Sequence, residues 1–158
     1  MRILVLSDTH GGYAAAELAI EKQHAAEHVI FLGDGLRSFY EIMQLYPNRV
    51  YHTVRGNCDF GSSEKTSDLL DIGGRRIFFT HGHTYNVKYG LSDIKRAARE
   101  RSADLLLFGH THAAFTGYED GLYIMNPGSI EQPRTGSPTY GLIDITDAGM
   151  ALNVIEVR

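Results

Sequence analysis

Cysteine occurs once in this chain of 158 residues, at Cys58. One thiol cannot build an internal disulfide framework, fits a reducing compartment, and speaks against a thiolate-built structural zinc site. No apolar run reaches the length a membrane-spanning helix needs. The N-terminal run "RILVLS" ends at Asp8, too early for the apolar segment and cleavage site of a secretory leader. Positive charge is in deficit as well: 15 Lys and Arg against 19 Asp and Glu give a net charge of −4. That balance disfavours stable, charge-driven nucleic-acid binding, although a nuclease whose positive charge comes from bound metal is compatible with it. Linkers, repeats and low-complexity segments are absent too. These exclusions leave a soluble, cytoplasmic protein with no membrane role. One domain over residues 1–158 is expected, large enough for a core without disulfide or metal staples.

Histidine, by contrast, occurs eight times, and five of the eight fall in three short motifs that follow apolar runs. The runs at 2–7, 28–33 and 49–54 read as strands, the first two buried on both faces. Helical patterns at 11–26 and 36–45 separate them. In the first, Ala15, Leu18 and Ala19 share a face; Pro47 stops the second. The βαβαβ order predicts parallel strands with right-handed crossovers. Beyond residue 60 the pattern changes. Gly73-Gly74 between "TSDLLDI" and "RRIFFT" signals a hairpin. "LSDIKRAARERS" predicts a helix with Ser92 as its N-cap, and the basic residues towards its end read as a solvated face complementing the helix dipole. "ADLLLFG" is a further buried strand, and Glu119-Asp120-Gly121 and Asp147-Ala148-Gly149 mark turns between alternating strands. The expected fold class is α/β, with mixed sheets packed together and helices outside.

The residues able to do chemistry recur at one structural position, just after a strand: Asp8 and His10, Asp34, Asn57, His81, then His110 and His112. Carboxyl ends of strands are where α/β folds build ligand sites. Each motif alone is compatible with an ordinary turn, because Gly, Asp and Asn are favoured there. Two carboxylates, an amide and four imidazoles gathered at one edge are poorly satisfied without a cation. Imidazole and carboxylate suit Mn, Fe, Zn or Ni. Seven donors exceed one ion's need but serve two ions that share a carboxylate, an arrangement that supports in-line displacement at phosphorus.

The combined motifs resemble the signature of the calcineurin-like metallophosphoesterase superfamily. The matching residues are Asp8-Thr9-His10, Gly33-Asp34, Gly56-Asn57-Cys58-Asp59, His81-Gly82-His83 and Gly109-His110-Thr111-His112, spread over most of the chain. The short length, "GNCD" and the later "NPGSIEQPR" are similar to the small bacterial and archaeal phosphodiesterase branch, whose fold the retromer small subunit shares as a scaffold. The resemblance implies a four-layer αββα sandwich of two mixed β-sheets flanked by helices. It implies two divalent ions, manganese foremost, with nickel, iron and zinc compatible. Asp8, His10 and His112 would hold one ion, Asn57, His81 and His110 the other, and Asp34 would bridge. The implied reaction is phosphodiester hydrolysis by in-line attack of a metal-bound hydroxide, making a small phosphodiester the expected partner. Self-association enters only by analogy with relatives. The alternatives are a phosphomonoesterase or nuclease of the same superfamily and a non-catalytic scaffold.

Asp34, Asn57, Cys58, Asp59 and His83 are the candidate catalytic residues. Many members of the superfamily carry histidine where Cys58 stands, near the leaving group and oriented by the residue equivalent to Asp59. A thiol of ordinary pKa about 8.5 is a poor general acid for an alkoxide. Nucleophilic catalysis by Cys58 is disfavoured, so the expectation is weak or absent acid catalysis with extra room for a second substituent. His83 either orients substrate, lies behind the ligands, or is structural. Asn126 and Ser129 are expected to brace the turn in "NPGSIEQPR", and Arg37, Arg55, Lys88 and Arg134 are candidate phosphate contacts.

Overall fold

The computed structural model describes residues 1–158. Its first sheet has the order β10-β9-β1-β2-β3, in which β1 (Arg2–Leu6), β2 (His28–Phe31) and β3 (Val50–Thr53) run parallel. The hairpin of β9 (Thr139–Thr146) and β10 (Gly149–Glu156) joins antiparallel at β1. The second sheet has the order β4-β5-β6-β8-β7. Its parallel centre is β5 (Arg75–Thr80), β6 (Leu105–Leu107) and β8 (Leu122–Asn126), and antiparallel β4 (Ser67–Ile72) and β7 (Phe115–Glu119) form its edges.

Alternation along the strands produces the layers. In β1, Ile3 and Val5 face the space between the sheets and meet Ile77, Phe79, Leu105 and Leu107 of the second sheet. Leu4 and Leu6 point the other way, onto α1 (Ala14–Lys22) and α2 (Leu36–Leu45). On the far side, Phe78, Leu106 and Ile124 pack on Ile94, Ala97 and Ala98 of α3 (Ser92–Glu100). Helix, sheet, sheet, helix is the expected αββα sandwich. No helix is long and apolar enough to cross a membrane.

Two local expectations need correction. The face that α1 buries is Ala16, Ala19 and Ile20, not Ala15, Leu18 and Ala19. Sinking Ile20, a larger apolar side chain than either alanine, turns the helix about its axis and leaves Ala15 and Leu18 at the margin. Ser92 does not cap α3: it is the first helical residue, Leu91 holds the cap position, and no side chain bonds there. Along α3, Arg96 pairs with Asp93, while Lys95 and Arg99 pair with Glu119. The basic residues there are a paired surface face rather than a phosphate site.

Candidate metal centre

The parallel strands β1, β2 and β3, with β5 and β6 across the sandwich, deliver all seven expected donors to one place. Asp8, Asp34 and His81 are buried, His10, His110 and His112 half-buried, and Asn57 exposed. Five of them, Asp8, His10, Asp34, His110 and His112, have φ between 45° and 67°. That left-handed region is uncommon outside glycine, and the chain has only three other such non-glycine residues. Backbone strain of this kind persists where the surroundings over-determine it, characteristically at functional sites. Glycines let these turns close. A Cβ on Gly56 would lie 2.6 Å from the Asp34 carboxyl carbon, and one on Gly109 would lie 2.9 Å from Asp8 Oδ2.

The donors fall into two groups, and a third combination, His10 and Asp34 with the Cys58 sulfur, links them with ligand atoms within 4.8 Å of one another. Asp8, His10 and His112 form one, with His10 Nε2 to His112 Nε2 at 3.0 Å and His112 Nε2 to Asp8 Oδ1 at 3.3 Å. Asp34, His81 and His110 form the second, with His81 Nε2 lying 3.3 Å from Asp34 Oδ2 and 3.2 Å from His110 Nδ1. Asn57 Oδ1 approaches the same His81 nitrogen at 3.1 Å. Asp34 Oδ2 sits between the groups, 3.8 Å from His10 Nε2.

Hydrogen bonds behind the cluster set its polarity. His81 Nδ1 donates to the Leu32 carbonyl and His112 Nδ1 to the Gln132 carbonyl, both at 2.7 Å. A carbonyl only accepts, so each neutral ring turns a bare Nε2 lone pair into the cluster. Asp8 Oδ2 accepts from Ser7 Oγ (2.6 Å) and the His110 N–H (3.2 Å), and Asp34 Oδ1 accepts from the Cys58 N–H (2.7 Å). Asp8 Oδ1 is buried with no hydrogen-bond partner. A buried, unpartnered carboxylate oxygen facing imidazole lone pairs is costly unless positive charge lies between them. Donors adjacent on one divalent ion, each about 2.0–2.2 Å from it, lie about 3 Å apart, as these do. The residues fit divalent metal.

Titration follows the same field. Burial would raise the Asp34 pKa, but His81 and the Cys58 amide outweigh it and hold the carboxyl well below its usual range. Burial likewise acts to lower His81, and Asp34 and Asp8 overcome it. His112 is raised chiefly by its contact with Asp8. His110, desolvated and beside His81, is pushed down to about 4, so its ring stays neutral at physiological pH.

The candidate catalytic residues outside the two groups divide. Asp59 does not orient its neighbour: Oδ2 accepts from the N–H groups of Asp34 and Gly56 (both 2.7 Å), and Oδ1 from those of Gly35 (2.8 Å) and Leu36 (2.9 Å). With both oxygens committed to backbone, it ties the start of α2 to the site. Cys58 is exposed, with Sγ 3.4 Å from Asn57 Nδ2. Partial desolvation by its neighbours and then the Asp34 charge push its thiol pKa up, which keeps it protonated and a weak nucleophile. His83 lies beside His81, ring centroids 5.3 Å apart, with Nδ1 buried and unpartnered. Burial and then His81 lower its pKa. Asn126 and Ser129 brace their turn as expected, Asn126 Oδ1 accepting from the Gly128 N–H (2.9 Å) and Ser129 Oγ from the Gln132 N–H (2.8 Å); they also tie it to the site, Asn126 Nδ2 donating to the Gly109 carbonyl and Thr111 Oγ1 and Ser129 Oγ to the Asp8 carbonyl.

Two clefts open beside the cluster. One, of about 640 Å³, begins at His10, Asp34 and Cys58 and runs past Arg37, Tyr40 and Phe60. The other, of about 390 Å³, begins at His110 and His112 and carries Lys88 and Arg134. Phe60, 91 % exposed, went unnoticed in the sequence, where it is one aromatic before "GSS".

The fold and the site together define a class. Residues 1–148 match the calcineurin-like phosphoesterase superfamily domain, and the chain belongs to that superfamily. It is 38% identical over 137 residues to the probable metallophosphoesterase YsnB of Bacillus subtilis, covering 85% of this chain and 78% of the relative. It is 30% identical over 171 residues to the phosphodiesterase YfcE of Escherichia coli, covering 91% and 88%. Among solved structures, a predicted phosphoesterase from Streptococcus pneumoniae superposes with a TM-score of 0.86 at 26% identity, covering 98% of this chain and 88% of that one. Vps29 from Entamoeba histolytica, complexed with zinc, superposes with a TM-score of 0.78 at 21% identity over the whole of both chains, a likeness of fold.

Proposed function

We propose that this protein is a phosphodiesterase dependent on two divalent ions, manganese foremost. The observation that carries the reading is Asp34 Oδ2, which lies between the Asp8–His10–His112 and Asp34–His81–His110 groups, within 3.8 Å of one and 3.3 Å of the other. Asp8, His10 and His112 would hold one ion, His81, His110 and Asn57 the second, and Asp34 would bridge them. Bound there, the ions supply an activated water and neutralise charge building on the phosphoryl oxygens. The chain's own residues hold that arrangement. The carbonyls of Leu32 and Gln132 fix the ring tautomers of His81 and His112, and the Cys58 amide fixes one Asp34 oxygen. Asn57 brings a neutral oxygen, leaving more net charge at its ion for the phosphate. The unpartnered, buried Asp8 Oδ1 supports a bound cation at this site. The name of one relative, the phosphodiesterase YfcE, supports reading the substrate as a diester rather than a monoester.

Protein stripped of metal and reloaded with manganese should hydrolyse bis-p-nitrophenyl phosphate faster than p-nitrophenyl phosphate. Asp34→Ala should lower the diester rate by at least a hundredfold, roughly 2.7 kcal/mol of barrier. Faster turnover of the monoester would replace the diester assignment, and metal-loaded protein inactive on both would remove the enzyme reading.

A further inference from the structure

The two clefts beside the donor cluster differ in chemistry, and the difference bears on the substrate. In the smaller one the lining residues include no hydrophobic side chain, and Lys88 and Arg134 flank His110 and His112. The larger one presents two aromatic rings, Phe60 at 91 % exposure and Tyr40 at 37 %. The Tyr40 hydroxyl donates to Glu64 Oε1 (2.8 Å), and the start of the Phe60 loop is anchored by Asp59, whose carboxylate takes four backbone N–H groups. A phenyl ring held out in water on an anchored loop forgoes the burial that apolar side chains ordinarily find. Beside it are the Arg37 guanidinium, which has no carboxylate partner, the hydroxyl of Ser63, and those of Ser38, which donates to the Gly35 carbonyl (3.0 Å), and Ser62, which accepts from the Glu64 N–H (3.2 Å). A hydrocarbon arm would leave the Arg37 guanidinium and the Ser63 hydroxyl unmatched. A nucleobase offers a flat face for Phe60 and an edge of donors and acceptors for Arg37 and the serines, and the volume lies in the range of small-molecule sites, about 300–1,000 Å³.

We infer that the diester is a nucleotide one: its phosphate lies at the donor cluster and a nucleoside arm occupies the Phe60 cleft. The inference rests on the phosphodiesterase reading and adds the substrate class. Phe60 is then the specificity-determining side chain, and Lys88 and Arg134 meet charge on the phosphate from the opposite side.

The test is competitive inhibition of manganese-dependent bis-p-nitrophenyl phosphate hydrolysis by thymidine 5′-monophosphate and by methyl phosphate. The two share a phosphate monoester and differ in the arm. The wild type should bind the nucleotide at least about fivefold more tightly, the lower end of what one stacked base is worth. Phe60→Ala, at a fully presented surface ring, should bring the ratio of the two inhibition constants close to one. Lys88→Gln should weaken both inhibitors together and keep the ratio. Equal inhibition of the wild type, or a preference that survives Phe60→Ala, would overturn the nucleoside assignment and leave the phosphodiesterase standing. No diester turnover by the wild type would overturn both.

Discussion

At Cys58 the backbone matters more than the thiol. Its N–H donates to Asp34 Oδ1, an interaction that any residue but proline keeps, whereas the sulfur is exposed and its pKa raised. Cys58→Ala should therefore retain bis-p-nitrophenyl phosphate turnover to within about threefold, because no general-acid contribution of 10²–10⁴ is there to lose. A collapse as deep as that of Asp34→Ala in the same assay would make the thiol a participant. What the sequence discloses differs from residue to residue here. Asp8, His10, Asp34, Asn57, His81, His110 and His112 are visible because each is a chemically distinctive side chain directly after an apolar run. Asp59 looks like a catalytic neighbour because three of its four partners are backbone amides of residues some 24 positions away, which no side-chain pattern records. Phe60 is missed because its exposure is a property of the folded loop.

Among the elements, α2 links the fold to the site. Its core face of Leu36, Phe39 and Ile42 grips the first sheet, with Phe39 stacked on Phe31 at 4.2 Å between centroids. Its N-terminus carries no cap of its own; Gly35 stands at the cap position, and Asp59 receives the free N–H groups from another segment. Removing that carboxylate strands four backbone donors. Asp59→Ala should lower stability by about 2–4 kcal/mol, given 1–3 kcal/mol for each buried donor left unpaired and some rescue by water. Urea unfolding of the two proteins measures it. A change under half a kcal/mol would mean the tie is dispensable. The span of α2 is readable in advance because Pro47 closes it and its apolar stripe is regular. α1 is less so, since a run of alanines does not say which small face will meet the sheet, and Ile20 decides it.

For the molecule as a whole, the two sheets jointly build one site. Asp8, His10, Asp34 and Asn57 follow strands of the first sheet, and His81, His110 and His112 follow strands of the second. Each proposed ion would thus join both sheets. Local pattern foretells mixed sheets with helices outside, because alternation and turn signals lie within a few residues of each other. It does not foretell that β9 inserts beside β1, or that β8 lies between β6 and β7; those neighbours are chosen by pairing across long stretches of chain. In the proposed centre the donors from both sheets close around two ions sharing Asp34. The most direct measurement is anomalous diffraction from a crystal of the manganese-loaded protein. Two peaks about 3.5–4 Å apart, with the Asp34 carboxylate between them, are expected. A single peak, or two that do not share Asp34, would contradict it.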